Sequence, residues 1–379
     1  MLVTAGCQRP EVSKPPPFEV EKQPWRFGQA EGTRLITPHY NIHITVQNEL
    51  LLDVLPNFLE TAHQLYMQLL PVEDPAETRS NLYIFHTRNE WERFTRRFSP
   101  ARADTYLRIR SGGYAEPKGT VLYYLGRYIT LAVIAHECLH MYVYRHFDRR
   151  SVPPWLNEGL ACYCEGHEWR DLTPVFTPGQ NRFRMNSVRR ALSRGTLLKL
   201  QEMLATDAGK MVRFSPNRVA AYYAQAWSMV TFLIHGGKYT EPFTRLCREL
   251  GTKKMRTTVR AYIAAHPTRY GQRISRGEAL FRSYITDDLE TFSADYGVWL
   301  RKITQPEGNA WRLFGSNQRP HRPVAGAEAC KLVAGADDCT LAGPVVPAAR
   351  ARQTTCRGRT ALAGTASPAL TRNTSDPQP

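Results

Sequence analysis

The run T-L-A-V-I-A-H-E-C-L-H-M-Y-V-Y-R-H-F, residues 130–147, constrains the fold more than any other stretch of the 379-residue chain. It is apolar enough for a buried helix, yet His136, Glu137 and His140 stand near its centre. Burying such groups without partners costs several kcal/mol, so something must pair with them, and a metal ion is one such partner. Residues four apart on a helix stand one turn above each other, so His136 and His140 can aim imidazole nitrogens at one ion about 2.0–2.1 Å away. Glu137 beside them is badly placed to be a ligand of the same ion but well placed to take a proton from an activated water. A catalytic zinc wants a third protein ligand and one open position. Glu158 supplies that ligand. Seventeen residues separate it from His140, room for the rest of the first helix, the turn Asp148–Pro154 and the start of an antiparallel second helix.

Chance is a poor explanation. An accidental H-E-x-x-H arises in about one or two chains per hundred of this size. The apolar helical setting and the downstream W-L-N-E-G-L-A, residues 155–161, make an accident far rarer.

The rest of the chain reads as an α+β protein. With 42% apolar and 22% charged residues it has an ordinary globular composition and is long enough for two domains. The net charge of +16 raises nucleic acid or an anionic membrane as partners, but the basic residues are scattered without a long run or an RNA-binding signature, so no nucleic-acid partner is expected. No stretch approaches the roughly 20 apolar residues of a membrane span. Residues 40–46 alternate as a strand, 50–70 read as a helix bent at Pro56, and 81–86 as a short strand. Thr87 and Glu90 form a capping box for a helix through Trp91 and Phe94. Strands are expected at 105–109 and 120–125, the second after the turn-rich segment 111–119. The HECLH helix and a helix of P-P-W-L-N-E-G-L-A-C-Y-C-E-G follow, with Pro154 suited to a first helical position. Nearly everything from Gln180 to Ile303 reads as helix.

The ends differ from the middle. Val3-Thr-Ala-Gly-Cys7 resembles the end of a bacterial lipoprotein signal, in which small residues precede a cysteine that is lipidated. The basic region and most of the apolar region of such a signal are missing, so either translation starts upstream or the likeness is accidental. On the lipoprotein reading Cys7 attaches the chain to a membrane at the cell envelope, and the Pro- and charge-rich segment Gln8–Pro24 is a solvated tether. Beyond Pro306 the sequence is rich in Ala, Gly, Pro, Thr and Arg without period, which implies disorder or a reading-frame artefact. The eight cysteines (7, 138, 162, 164, 247, 330, 339, 356) form no disulfide-scaffold spacing, and Cys138, Cys162 and Cys247 read as small core residues. The resulting division is leader and tether 1–30, sheet subdomain with the metal helices 31–175, helical subdomain 176–305 and tail 306–379.

HECLH followed by P-P-W-L-N-E-G-L-A-C-Y-C-E-G resembles the gluzincin metallopeptidases. Residues 155–161 are similar to the W-L-N-E-G-F-A of the aminopeptidase N type, and residues 31 to about 250 resemble the bacterial peptidase-MA-like proteins of unassigned function. The resemblance implies a small mixed sheet with a two-helix zinc site, a helical subdomain completing the cleft, and one Zn2+ held by His136, His140 and Glu158. It aligns Y-A-Q-A-W-S-M-V-T-F-L, residues 223–233, with the helix whose tyrosine steadies the oxyanion; Tyr223 takes that role, and Tyr222 is its alternative. The expected activity is zinc-dependent hydrolysis of a peptide or protein, with Glu137 as general base. Three departures bear on this. The spacing to Glu158 is one residue shorter than in aminopeptidase N. No G-x-M-E-N segment is found, Gly112-Gly-Tyr-Ala-Glu116 lying in the comparable place, so exopeptidase specificity is unsupported. Position 162 is Cys where thermolysin-like enzymes carry an orienting aspartate, leaving Asn157 or Glu165 to support the ligands. The rival readings are a lipid-anchored scaffold with a non-catalytic zinc site and a zinc hydrolase of a non-peptide substrate. Strand 120–125, if it forms the cleft edge, would pair with an extended peptide.

Overall fold

Alternating burial builds the sheet. Tyr40, Ile42 and Ile44 are buried, while Asn41 and His43 between them are half-buried. The computed structural model describes residues 18–72, 78–148, 151–170, 173–206, 216–269 and 272–305. Cys7, most of the expected tether and the tail lie outside them. Strands β1 (Glu21–Phe27), β2 (Ala30–Ile36) and β3 (Tyr40–Ile44) pair antiparallel, followed by β4 (Ser80–Phe85), β5 (Gly113–Glu116) and β6 (Gly119–Tyr123). The spatial order is β1-β2-β3-β4-β6-β5, with parallel pairing of β3 with β4 and of β4 with β6. The sheet is therefore mixed, as expected.

Helices cover both faces. Helix α1 (Glu49–Leu69) crosses between β3 and β4, with Asn48 as N-cap, and runs as one helix through Pro56. Helix α2 (Arg88–Phe98) starts at Thr87, whose side chain accepts from Glu90 N–H, while the Glu90 carboxylate reaches back to His86 N–H. After a short 3-10 turn comes α3 (Ala103–Tyr106), then α4 (Arg127–His146) and α5 (Pro154–Cys164). Ile42, Ile44, Leu82, Ile84 and Leu122 pack on α1 and α4; the opposite residues Phe85, Val121 and Tyr123 pack on Trp91 of α2 and Tyr106 of α3. Two tyrosines tie α1 to α4: Tyr66 donates to the Ala135 carbonyl (2.7 Å) and Tyr142 to that of Leu70 (2.8 Å).

Three expectations need correction. Residues 105–109 are not a strand: α3 is followed by a turn, and the carbonyls of Leu107 and Ile109 accept from the Arg88 guanidinium (2.9 and 2.7 Å) instead of a sheet partner. The tether does not reach residue 24, nor the leader region residue 30, because Glu21–Phe27 is an edge strand in which Trp25 and Phe27 pack on Phe85. Pro24 is tolerated there because an edge strand needs only half its donors. Finally β6 is interior; the edge beside α4 is β5.

The C-terminal part begins with a hairpin of β7 (His167–Arg170) and β8 (Thr173–Phe176). Then follow α6 (Arg182–Ser193), α7 (Leu200–Ala205), α8 (Pro216–His235), α9 (Thr240–Glu249), α10 (Lys253–Ala265), a two-residue ladder of β9 (Thr268–Arg269) with β10 (Gln272–Arg273), α11 (Arg276–Tyr284) and α12 (Leu289–Thr304). One buried apolar cluster extends from Leu35 to Ile303, across the 175/176 boundary. Within it α5 packs closely against α8. A Cβ on Gly159 would stand 2.4 Å from Val230 Cγ2 and 2.7 Å from the Ala226 carbonyl oxygen, so only glycine lets the two backbones meet.

Candidate metal centre

The i,i+4 spacing on α4 sets His136 and His140 on one face, and α5 brings Glu158 against them. All three are buried. His136 Nε2 and His140 Nε2 are 3.2 Å apart, and Glu158 Oε2 is 3.5 Å from each. Ligands about 2.0–2.1 Å from a tetrahedral ion stand about 3.3–3.4 Å from one another, so this triangle has the right edge for one ion.

Proton positions follow from the outer partners. His136 Nδ1 lies 2.8 Å from Glu165 Oε1 and His140 Nδ1 lies 3.2 Å from Asn157 Oδ1, both acceptors. A neutral imidazole so arranged carries its proton on Nδ1 and leaves Nε2 a bare lone pair. Two lone pairs and a carboxylate oxygen with no hydrogen-bond partner then converge on one point, an arrangement that calls for a cation. Burial would lower the pKa of His136, but contacts with Cys162, Glu158 and Glu165 override it and hold the pKa well above the usual range. Burial would raise Glu158, yet the two imidazoles bring it to about 2. The group could hold a metal ion in place of such protons. Asn157 and Glu165, the supports expected from the sequence, are the ones found.

Glu137, next to His136 on α4, also packs against β5. A Cβ on Gly113 would stand 3.4 Å from Glu137 Cγ, so the glycine leaves this carboxylate room beside the edge strand. The Glu137 Oε2 is buried without a hydrogen-bond partner among the described residues. Burial raises its pKa to about 7. Tyr223, on α8, places its ring 6.1 Å from that of His136, and its buried hydroxyl has no hydrogen-bond partner among the described residues. The Tyr222 hydroxyl instead donates to the Thr206 carbonyl, 3.4 Å away. Glu116, in the comparable place to the aminopeptidase glutamate, accepts from Ser99 and Tyr106 at the far end of β5.

Two residues of the surroundings were not picked out from the sequence. Arg184 grips the Glu165 carboxylate through Nε (2.8 Å) and Nη2, and Asn181 donates to its Oε2 (2.9 Å). Asn181 is also the N-cap of α6, the one local signal that could have marked the place. His136, Cys162 and Glu165 form a second metal-capable group, but there the Arg184 guanidinium already supplies the positive charge. Cys138, Cys162, Cys164 and Cys247 are buried free thiols, and Cys162 Sγ lies 3.9 Å from His136 Nδ1.

Residues 130–255, about a third of the chain, match a family described as "Protein of unknown function (DUF1570)". The matched stretch contains His136, Glu137, His140, Glu158, Glu165, Arg184 and Tyr223. No curated protein and no solved structure matches the chain.

Proposed function

We propose that the protein is a zinc-dependent metallopeptidase. The observation that carries this reading is the convergence of three ligand atoms at 3.2–3.5 Å, beside Glu137 and Tyr223, each of which buries an oxygen with no hydrogen-bond partner among the described residues. Two imidazoles and one carboxylate suit zinc and leave one tetrahedral position open. When bound, the ion supplies a Lewis acid that polarises a carbonyl and acidifies a water. Glu137 takes the water's proton on Oε2 and returns it to the leaving amine. A cation nearby lowers the Glu137 pKa from about 7 and keeps it ionised for that role. The Tyr223 hydroxyl donates to the oxyanion of the tetrahedral intermediate.

A peptide is the favoured substrate because β5, whose Gly113 lies against Glu137, ends the sheet, and an extended peptide adds to a sheet edge through its main chain. Attachment to a membrane through a lipidated Cys7 is part of the proposal. Among the described residues no helix is long and apolar enough to cross a membrane. A structural zinc site has no use for a buried base, which disfavours the scaffold reading. The deciding experiment is zinc analysis with a peptide-library cleavage screen on wild type and Glu137→Gln. The variant is expected to keep about one zinc and lose about two to four orders of magnitude in hydrolysis. Equal cleavage by both proteins refutes the reading.

A further inference from the structure

Arg184 sits on α6, a helix that carries none of the three metal ligands, and it is only 4% exposed. Its guanidinium does two things at once. The fork of Nε and Nη2 grips both oxygens of Glu165, the carboxylate that accepts from His136 Nδ1. The planar face lies over Tyr223, with Cζ 5.4 Å from the ring centroid. Asn181 fixes the start of α6 by capping the Arg184 N–H and donates to the same carboxylate.

We infer that Arg184 is a positioning residue that locks the metal ligand His136, through Glu165, and the ring of Tyr223 into one register. The inference rests on the metal reading above. Packing alone is a weak reason for such an arrangement, since a buried ion pair is often no more stabilising than apolar residues of the same volume. Geometry gives a better one. A carboxylate on the outer nitrogen of a ligand histidine fixes its tautomer and ring plane, but only if the carboxylate is itself held. A bidentate guanidinium holds it in a plane, whereas a lysine ammonium, a point charge, does not. Because the same group lies against Tyr223, the orientation of α8's tyrosine and that of α4's histidine are set by one side chain.

The test measures zinc affinity by competition with a chromogenic chelator and the visible spectrum of the cobalt-substituted protein, with far-ultraviolet circular dichroism as the control for folding. The proteins are wild type, His140→Ala, Arg184→Lys, Arg184→Met and the double variant Glu165→Gln/Arg184→Met. Arg184→Met is expected to weaken zinc binding by about 10–100-fold, with an altered cobalt spectrum. Arg184→Lys keeps the charge without the fork and recovers only part of that loss. Arg184→Met leaves a buried carboxylate unpaired and can unfold the chain; the double variant removes both charges and decides the matter, with the same loss of affinity expected. Wild-type affinity and an unaltered cobalt spectrum in either folded variant overturn the inference, as does failure of all three Arg184 variants to fold. If wild type binds zinc, His140→Ala does not and the Arg184 variants are unaffected, only the role of Arg184 falls. If wild type binds no zinc, or His140→Ala binds it fully, the metal reading falls and this inference with it.

Discussion

Glu137 and Tyr223 each bury an oxygen that no described residue satisfies. Leaving a buried polar group unpaired costs about 1–3 kcal/mol, a cost usually found where a ligand later supplies the partner. The buried glutamates elsewhere show the contrast: Glu60 accepts from Thr37 Oγ1 and from both the backbone and the ring of His39. Removing the orphan hydroxyl therefore separates stability from function. Tyr223→Phe is expected to leave the thermal midpoint unchanged or slightly raised, while turnover falls by about a hundredfold with little change in KM, because that hydrogen bond forms mainly in the transition state. Combined with Glu137→Gln, its effect is expected to be far from additive, since both residues serve one step. Melting curves with steady-state kinetics check this. A drop of several degrees in the melt would mean that the hydroxyl has a structural partner, and an unchanged turnover would remove Tyr223 from the chemistry.

Two contacts tie separate elements of the fold together, the first of them beside the site. Gly159 lies next to Glu158 on α5 and is the point at which α8 comes closest, so the seam that admits Tyr223 is made by a missing side chain. Gly159→Ala adds a methyl where the backbone of Ala226 and the side chain of Val230 already sit, and overpacking of this kind costs about 1–3 kcal/mol. Urea denaturation measures that loss, and weaker zinc binding is expected with it because α5 must shift. The second contact is Glu60 of α1 against the turn between β2 and β3. Burial would raise its pKa, but hydrogen bonds from His39 and Thr37 outweigh burial and hold it below the usual carboxylate range. A carboxylate lowered on folding stabilises above its unfolded pKa, and that contribution disappears as pH falls through the folded value. Glu60→Gln is therefore expected to destabilise at pH 7 by about 1–3 kcal/mol, the worth of hydrogen bonds to a charged group, and progressively less as the pH falls through and below the usual carboxylate range. Equal destabilisation throughout would show that the charge contributes nothing.

At the scale of the whole molecule, what could be read from the sequence was whatever one element encodes. His136 and His140 need only a helix, Glu158 only a second helix beyond a turn, and the alternation of Tyr40, Ile42 and Ile44 only a strand. What could not be read depends on groups far apart in the chain. The grip of Arg184 on Glu165 spans 19 residues and two helices, and the carbonyls of residues 107 and 109 are satisfied by an arginine from α2. Strand β1 was hidden because Pro24 and the surrounding charges look like a tether until Phe85 is there to receive Trp25 and Phe27. The proposed ion would also join separate elements, although its ligands are marked one helix at a time in the sequence: α4, which lies on the sheet, and α5, which lies on the helical part. Binding to the folded state alone stabilises by mass action, by about 2.7 kcal/mol when free zinc is a hundred times Kd. In a body of this size that corresponds to a rise of about 5 °C in the melting midpoint, reversed by a chelator. Glu137→Gln is expected to keep the full zinc-dependent rise, because Glu137 is not a ligand, whereas His140→Ala is expected to lose it. Differential scanning calorimetry with and without zinc measures both variants; a full rise in His140→Ala would show that the ion, if it binds, is held elsewhere.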